Sequence, residues 1–130
     1  LFDVGRDELK PGADEVLAEL VRVLNTPTGR HLNILVVGHT DDRIVTKGSA
    51  SDEYPDNFHL SVRRALTVSG RLQELGLASE RMGVAGVGQH QPIAPNLTDE
   101  DRKKNRRVEL FVMAADVPVI GWTETTPELY

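Results

Sequence analysis

Two short polar segments carry the residues whose types could bind a ligand. The first is the stretch Gly-His-Thr-Asp at 38–41, which follows an apolar run, and the second begins at Asn57 and includes Arg64. The first lies at the carboxyl end of a predicted strand and the second at the amino end of a predicted helix. Such ends meet at one edge of an open α/β sheet, where ligands commonly bind. The pattern therefore predicts one site built from both segments.

Arg64 and Asp41 are the charged residues of this predicted site. Arg64 lies next to the apolar stripe of its helix, so its guanidinium needs a partner within the fold, and Asp41 is the nearest candidate. One interpretation is a structural ion pair between them. The other is that they hold opposite ends of one zwitterion, because a carboxylate can receive an ammonium while arginine receives a carboxylate by two parallel bonds. Thr40 and Asn57 would add polar contacts.

The histidines suggest a second chemistry. His39 and Asp41 share a face of the predicted strand, and His59 could approach them. If the three residues bound a metal ion, the protein could be a metal-assisted hydrolase. No two of the four histidines have the i, i+4 spacing of a helical metal site. We therefore expect no metal and no cofactor, and we expect His39 to be a packed, hydrogen-bonded residue.

Other motifs also favour binding over catalysis. A basic run at 102–107 is typical of a solvated helix end, because cations are favoured there. No aromatic residues interleave with this run, and the formal net charge is −5, so nucleic acid is not an expected partner. The glycines at 83–88 are not followed by the helix that a dinucleotide-binding motif requires. Ser61 does not lie in the strand-turn-helix sequence of a nucleophile elbow. We predict that the protein is not an enzyme.

Four strands and three helices are predicted to position these residues. The strands are predicted at 1–4, 31–38, 82–88 and 108–112. Apolar spacing predicts helices over 13–24 and 60–75, and Thr98 with Asp101 caps a short helix that ends near Asn105. The order β-α-β-α-β-(α)-β indicates an α+β fold, a two-layer sandwich in which helices cover one face of a mixed four-stranded sheet.

Length and composition limit the protein class. The chain has 130 residues, of which 39% are hydrophobic and 27% charged, enough for one domain with a core and too apolar for a disordered tail. No apolar run reaches the roughly 20 residues of a membrane span. The absence of cysteine excludes disulfide scaffolds and thiol nucleophiles. Because residue 1 already falls in a predicted strand, we expect the chain to be part of a longer protein.

Two segments are predicted to be irregular. The polar stretch at 42–56 is too long for a tight turn, and long connections of this kind are usually functional or mobile. The domain is predicted to span 1–113 and to be followed by an irregular tail at 114–130. Trp122 and Tyr130 in this tail could contact a partner chain, and Trp122 could instead cap the edge of the core.

Five stretches taken together carry a family resemblance. They are Leu1-Phe2-Asp3 with Leu9-Lys10-Pro11; Val37-Gly38-His39-Thr40-Asp41; Asn57-x-x-Leu60-Ser61-x-x-Arg64-Ala65-x-x-Val68; Val84-Ala85-Gly86-Val87-Gly88 followed by Pro92; and Asn105-Arg106-Arg107-Val108-Glu109. In this order they resemble the OmpA-like peptidoglycan-binding domain, also called the OmpA/MotB C-terminal domain. The match extends over nearly the whole chain up to about Val112.

The resemblance implies a fold, a ligand and a site. The family fold is a mixed four-stranded sheet with helices on one face, and the ligand is the peptide stem of peptidoglycan, chiefly its diaminopimelate residue. By motif, Asp41 receives the ammonium, Arg64 receives the carboxylate, and Thr40 and Asn57 line the same site. Asp3 and Arg106 occupy motif positions near it.

The long insertion ending in Tyr54-Pro55-Asp56-Asn57-Phe58 is similar to the MotB branch of the family. The resemblance implies a periplasmic domain of a membrane-anchored protein, with an inner-membrane anchor favoured over an outer-membrane one. The parent could be a flagellar stator component or a lipoprotein that anchors the envelope to the wall. A homodimer is expected, because paired domains gain effective concentration on a multivalent wall.

Overall fold

The computed structural model describes residues 11–43 and 56–115. Within these ranges the chain forms three α-helices and three strands. In chain order they are α1 (Ala13–Leu24), β1 (Leu32–Gly38), α2 (Asn57–Glu74), β2 (Met82–Gly86), α3 (Asp99–Asn105) and β3 (Val108–Ala114). Short 3₁₀ turns at Gly29–His31 and Ser79–Arg81 lead into β1 and β2.

The strands form a mixed sheet in the order β2-β1-β3. β1 is parallel to β2 and antiparallel to β3, with Gly38 opposite Gly86 on one side and Val108 on the other. The predicted α+β class and mixed sheet are confirmed. Four strands were predicted and the described residues contain three; the strand expected at 1–4 lies outside the described residues.

Local sequence sets the ends of the elements. The Asp56 side chain accepts a hydrogen bond from the amide of His59 and caps α2, which begins three residues before its apolar stripe. Gly76 follows α2 and has φ 113°, a left-handed conformation that glycine adopts readily. The helix therefore ends near this glycine, as predicted. β2 ends at Gly86, two residues earlier than predicted, because Gly88 adopts φ 62° and turns the chain out of the extended conformation.

The core lies between the sheet and the two long helices. Apolar side chains from one face of α1, one face of α2, alternate positions of β1 and the segment after α2 pack together. These buried residues are Leu17, Val21, Leu24, Ile34, Val36, Ala65, Val68, Leu72 and Leu77. Burial of each larger side chain contributes about 1.5–3 kcal/mol, so this contact fixes the helices on one face of the sheet. No helix in the described part of the chain is long and apolar enough to cross a bilayer.

The start of α2 lies directly against the carboxyl ends of β1 and β2. A Cβ atom on Gly38 would lie 1.9 Å from the carbonyl oxygen of Ser61, and one on Gly86 would lie 2.6 Å from the amide nitrogen of Val62. Only glycine allows this approach at either position. It brings the first turns of α2 against the strand ends, where the sequence predicts the site.

Candidate ligand-binding site

Backbone hydrogen bonds join three segments at the carboxyl end of β1. The amide of His39 donates to Arg107 O at 2.9 Å, and the amide of Thr40 donates to Gly88 O at 3.0 Å. These bonds continue both strand pairings just past the sheet. The position of Asp41, the next residue, is therefore set by the chain on either side of β1.

Asp41 is a buried carboxylate with partners for both of its oxygens. Only 4% of the residue surface is exposed. Oδ2 accepts a hydrogen bond from Arg106 Nη1 at 2.9 Å, and Oδ1 accepts one from the amide of Arg43 at 2.9 Å. Arg106 is also buried and caps the carboxyl end of α3. The resemblance placed Arg106 near the site, but sequence reasoning did not pair it with Asp41.

Arg64 reaches the same strand end from the second turn of α2. It is 1% exposed, and its Nη1 donates to the carbonyl oxygen of His39 at 2.9 Å. The sequence indicated that this arginine needs a partner inside the fold, and it named Asp41. One contact within the described chain is with the backbone two residues before Asp41, and it brings the guanidinium to the strand end that carries the carboxylate.

Thr40 and Asn57 complete the cluster of side chains at this strand end. The buried Thr40 hydroxyl donates to Asp41 O at 2.9 Å. Asn57 Nδ2 lies within hydrogen-bond distance of Asp41 O, Arg43 O and Gln89 Oε1, at 3.4, 3.1 and 2.9 Å. Asn57 thus connects the start of α2 to the chain that follows each of the two parallel strands. Asp3, the remaining predicted site residue, lies outside the described residues.

Ser61 supports the site, although sequence reasoning gave it no role beyond its motif. It is fully buried, and its Oγ accepts a hydrogen bond from Gly88 N at 3.0 Å and donates to Phe58 O at 2.7 Å. Gly88 in turn binds the amide of Thr40. The signal available in the sequence was a small hydroxyl residue on the apolar side of a helix, three positions before Arg64.

His39 is buried, as predicted, against the last strand. Its Nε2 lies 2.5 Å from Glu109 Oε1, and Nδ1 has no hydrogen-bond partner within residues 11–43 and 56–115. Burial lowers the pKa of His39 below its usual value, and the Arg107 guanidinium lowers it further, while Glu109 acts in the opposite direction. The His39 imidazole thus packs in the fold and contacts the Glu109 carboxylate.

The histidines do not converge on a metal site in the described chain. His59 Nδ1 contacts Asp56 Oδ1 at 2.8 Å on the exposed amino end of α2, whereas His39 is buried toward β3. Hydrogen bonds from His59 lower the pKa of Asp56. Across residues 11–43 and 56–115, no group of three or more His, Asp or Glu side chains could hold a metal ion.

A groove of about 260 Å³ lies beside the buried cluster. It is lined by Phe58, His59, Val62, Arg63 and Gly86. The Phe58 ring is half exposed and lies 5.1 Å from the ring of His90, measured between centroids. The edge of the molecule that contains the buried charges thus also has a concave surface with an aromatic wall.

Comparisons with known proteins agree with this architecture. The sequence model of the OmpA family matches residues 1–106. Motility protein B of Bacillus subtilis is 36% identical over 117 residues, which are 86% of this chain and 41% of that protein. The peptidoglycan-binding protein ArfA of Mycobacterium bovis is 45% identical over 56 residues, 43% of this chain and 17% of that protein. The chain thus spans less than half the length of these curated relatives.

The fold also matches a solved structure. The crystal structure of the C-terminal domain of Helicobacter pylori MotB superposes with a TM-score of 0.78 at 25% sequence identity, and the match covers 88% of this chain and 83% of that one. The resemblance inferred from the motifs is confirmed.

Proposed function

Because the chain belongs to the OmpA family, we propose that it binds the peptide stem of bacterial peptidoglycan without covalent chemistry. The observation that carries the proposal is the meeting of a buried carboxylate and a buried guanidinium, Asp41 and Arg64, at one strand end. The similarity to a peptidoglycan-binding protein over 56 residues supports the choice of ligand.

The proposed ligand group is the free zwitterionic end of diaminopimelate. Its ammonium binds the Asp41 carboxylate and its carboxylate binds the Arg64 guanidinium by parallel hydrogen bonds. Each carboxylate oxygen of Asp41 has a second lone pair, so the ammonium can bind while Oδ1 keeps the amide of Arg43 and Oδ2 keeps Arg106. Arg106 thus takes part by holding Asp41. Thr40 and Asn57 hold the backbone of the same segment. Asp3 is included by motif alone.

The proposed role of the domain is to anchor a membrane protein to the wall. The relatives include a motility protein and an outer-membrane lipoprotein, and a MotB-like stator component is the parent that we favour. In this role the domain is periplasmic, acts as a homodimer and performs no catalysis. Mass measurement in solution, with and without residues 116–130, tests the dimer and the part that the tail plays in it.

Co-sedimentation with purified peptidoglycan sacculi tests the site. Each charge-assisted contact contributes about 1.5–3 kcal/mol, so Asp41→Asn and Arg64→Gln are each expected to weaken binding about tenfold to 150-fold. The matched control is Asp14→Asn, the same change on the exposed surface of α1, which should bind as the wild type does. Equal sedimentation of the wild type and both site variants, all folded by circular dichroism, would reject the assignment.

Competition with small molecules tests the ligand chemistry. Free diaminopimelate should release the domain from sacculi, because it carries an ammonium and a carboxylate on the same carbon at each end. Pimelate lacks both ammonium groups, and cadaverine lacks both carboxylates, so each can satisfy only one half of the cluster. If either competes as well as diaminopimelate, the domain does not recognise a zwitterion.

A further inference from the structure

The chain that leaves β1 is held against α3 by two crossed ion pairs. Arg102 Nε donates to Asp42 Oδ1 at 2.9 Å, and Arg43 pairs with Asp99. Each partner element thus provides one acid and one base. We call these four residues the α3 clamp.

The α3 clamp acts on the residues immediately after Asp41. The amide of Arg43 donates to Asp41 Oδ1, and Asn57 Nδ2 donates to the carbonyl of Arg43. The peptide units around Arg43 are therefore fixed from three sides, by Asp41, by α2 and by α3. The direction of the Asp41 carboxylate depends on where the Arg43 amide lies.

α3 provides a rigid base for this contact. Thr98 caps its amino end by accepting a hydrogen bond from Asp101 N. Near its carboxyl end, the fully buried Asn105 side chain accepts from Ile93 N and Ala94 N, and it donates to Ala94 O and Asn96 Oδ1. Such a satisfied buried amide resists rearrangement. The helix is therefore capped at its amino end and attached near its carboxyl end to the segment 93–96.

Contacts that involve α3 and the residue after it consequently fix the positions of both carboxylate oxygens of Asp41. Arg106, which follows the helix, contacts Oδ2 directly. The clamp sets the position of the Arg43 amide, which contacts Oδ1. A ligand ammonium that approaches Asp41 would meet a carboxylate whose orientation has been fixed in advance, and such preorganisation lowers the cost of binding.

We propose that Asp99 and Arg102 are positioning residues for peptidoglycan binding, which hold the Asp42–Arg43 segment so that Asp41 faces the ligand. This inference rests on the proposed function and extends it to residues that lie outside the buried cluster. The Arg102 side chain is 24% exposed and that of Asp99 is 84% exposed. Salt should therefore weaken the clamp more than it weakens the buried contacts.

The first test measures sacculus binding by the double variant Asp99→Asn/Arg102→Ala. We expect about three- to tenfold weaker binding than the wild type at low salt. Asp42→Asn should reproduce part of this loss, because it breaks the ion pair and leaves the bond from Arg102 to Asn96 O intact. Arg102→Lys should retain most of the binding, since the charge remains.

The matched control is Arg71→Ala, which removes two ion pairs far from the site, one to Asp14 and one to Glu74. Arg71 Nε and Nη2 donate to the two carboxylate oxygens of Asp14 at 2.9 and 3.2 Å and link α2 to α1. Its loss should change the melting temperature about as much as loss of the clamp does, with sacculus binding unchanged. If Arg71→Ala and the double variant lose binding equally, the loss comes from general destabilisation of the fold, and the inference is overturned.

Hydrogen exchange gives a readout that needs no ligand. The Arg43 amide should be protected in the wild type and should lose protection in the double variant, while the core amides of β1 keep theirs. If Asp41→Asn loses binding and the double variant keeps both binding and Arg43 protection, positioning by α3 is wrong. If even the wild type binds no sacculi, the proposed function fails, and Arg43 exchange still decides whether α3 orients this segment.

Discussion

The two ends of the sheet both contain arginine side chains that bind backbone carbonyls, but at the carboxyl end an arginine also pairs with a buried carboxylate. At the amino end of β1, Arg81 donates five hydrogen bonds, which go to Leu24 O, Asn25 Oδ1, Gly29 O and twice to Leu32 O. At the carboxyl end, Arg106 binds the carboxylate of Asp41, and Arg64 binds the carbonyl of His39 beside it. The first end uses a guanidinium to join chain segments, and the second assembles opposite charges.

This difference separates an end of the sheet where the arginine contacts neutral oxygens from an end that holds a buried ion pair. The partners of Arg81 are neutral oxygens whose positions belong to the fold, so a ligand has no charge there to replace. Asp41 and its arginines offer charges that a zwitterion can match with its own. Substitutions at the two ends should therefore affect different measurements: stability at the Arg81 end, and binding at the Asp41 end.

The largest effect expected on stability is that of Arg81→Ala. Losing five hydrogen bonds and leaving partly buried carbonyls without donors should lower the free energy of unfolding by about 2–4 kcal/mol. Urea denaturation measures this loss, and sacculus binding below the transition should equal that of the wild type. Arg81→Lys should recover only part of the stability, because an ammonium cannot reproduce the planar fork. A binding loss comparable to that of Asp41→Asn would remove the distinction between the two ends.

Neither arginine arrangement could be predicted in full from the sequence. Helix periodicity predicted α1 and α2 to within a few residues, since it depends on neighbours three and four positions apart. The pairing of Asp41 with Arg106 joins residues 65 positions apart. It follows from β3 lying antiparallel to β1 with Gly38 opposite Val108, a register that the local pattern does not specify.

The role of Arg81 was missed for a related reason. Its acceptors come from the end of α1, the following turn and the start of β1, and they meet only when α1, β1 and β2 have packed. The Asp41 cluster, in contrast, was located because its residues follow a strand end and open a helix, two features that the chain marks locally. Recognisable positions thus predicted which residues lie together at the strand end, and tertiary packing determined their partners.

A smaller effect on stability is expected from Ser61→Ala, near the carboxyl end of β1. The change leaves the buried amide of Gly88 without its acceptor and should cost about 1–2 kcal/mol. Because Gly88 O accepts from the amide of Thr40, binding should also weaken slightly. Ser69→Ala is the control on the same helix, since within the described chain the Ser69 hydroxyl donates only to Leu66 O in its own helix. Similar stability losses in the two variants would show that the Ser61–Gly88 bond adds nothing to the site end.

The smallest effect expected is a pH dependence of stability that arises from His39. Its pKa in the folded protein lies below the value of 6.5 that it has when exposed, first because of burial and then because of Arg107, with Glu109 opposing them. The unfolded chain therefore binds a proton at this residue more readily than the folded chain does. His39 contributes its full stability above pH 6.5, and this contribution is lost as the pH falls through the folded pKa.

Urea denaturation at pH 7.5 and 5.5 isolates this contribution. The wild type should lose more stability between the two pH values than His39→Gln, which cannot be protonated in this range. His31→Gln is the control, because His31 is exposed just before β1 at the opposite end of the sheet. This control should keep the pH dependence of the wild type. If His31→Gln flattens the pH dependence as much as His39→Gln, the acid sensitivity does not come from the burial of His39 beside the ligand cluster.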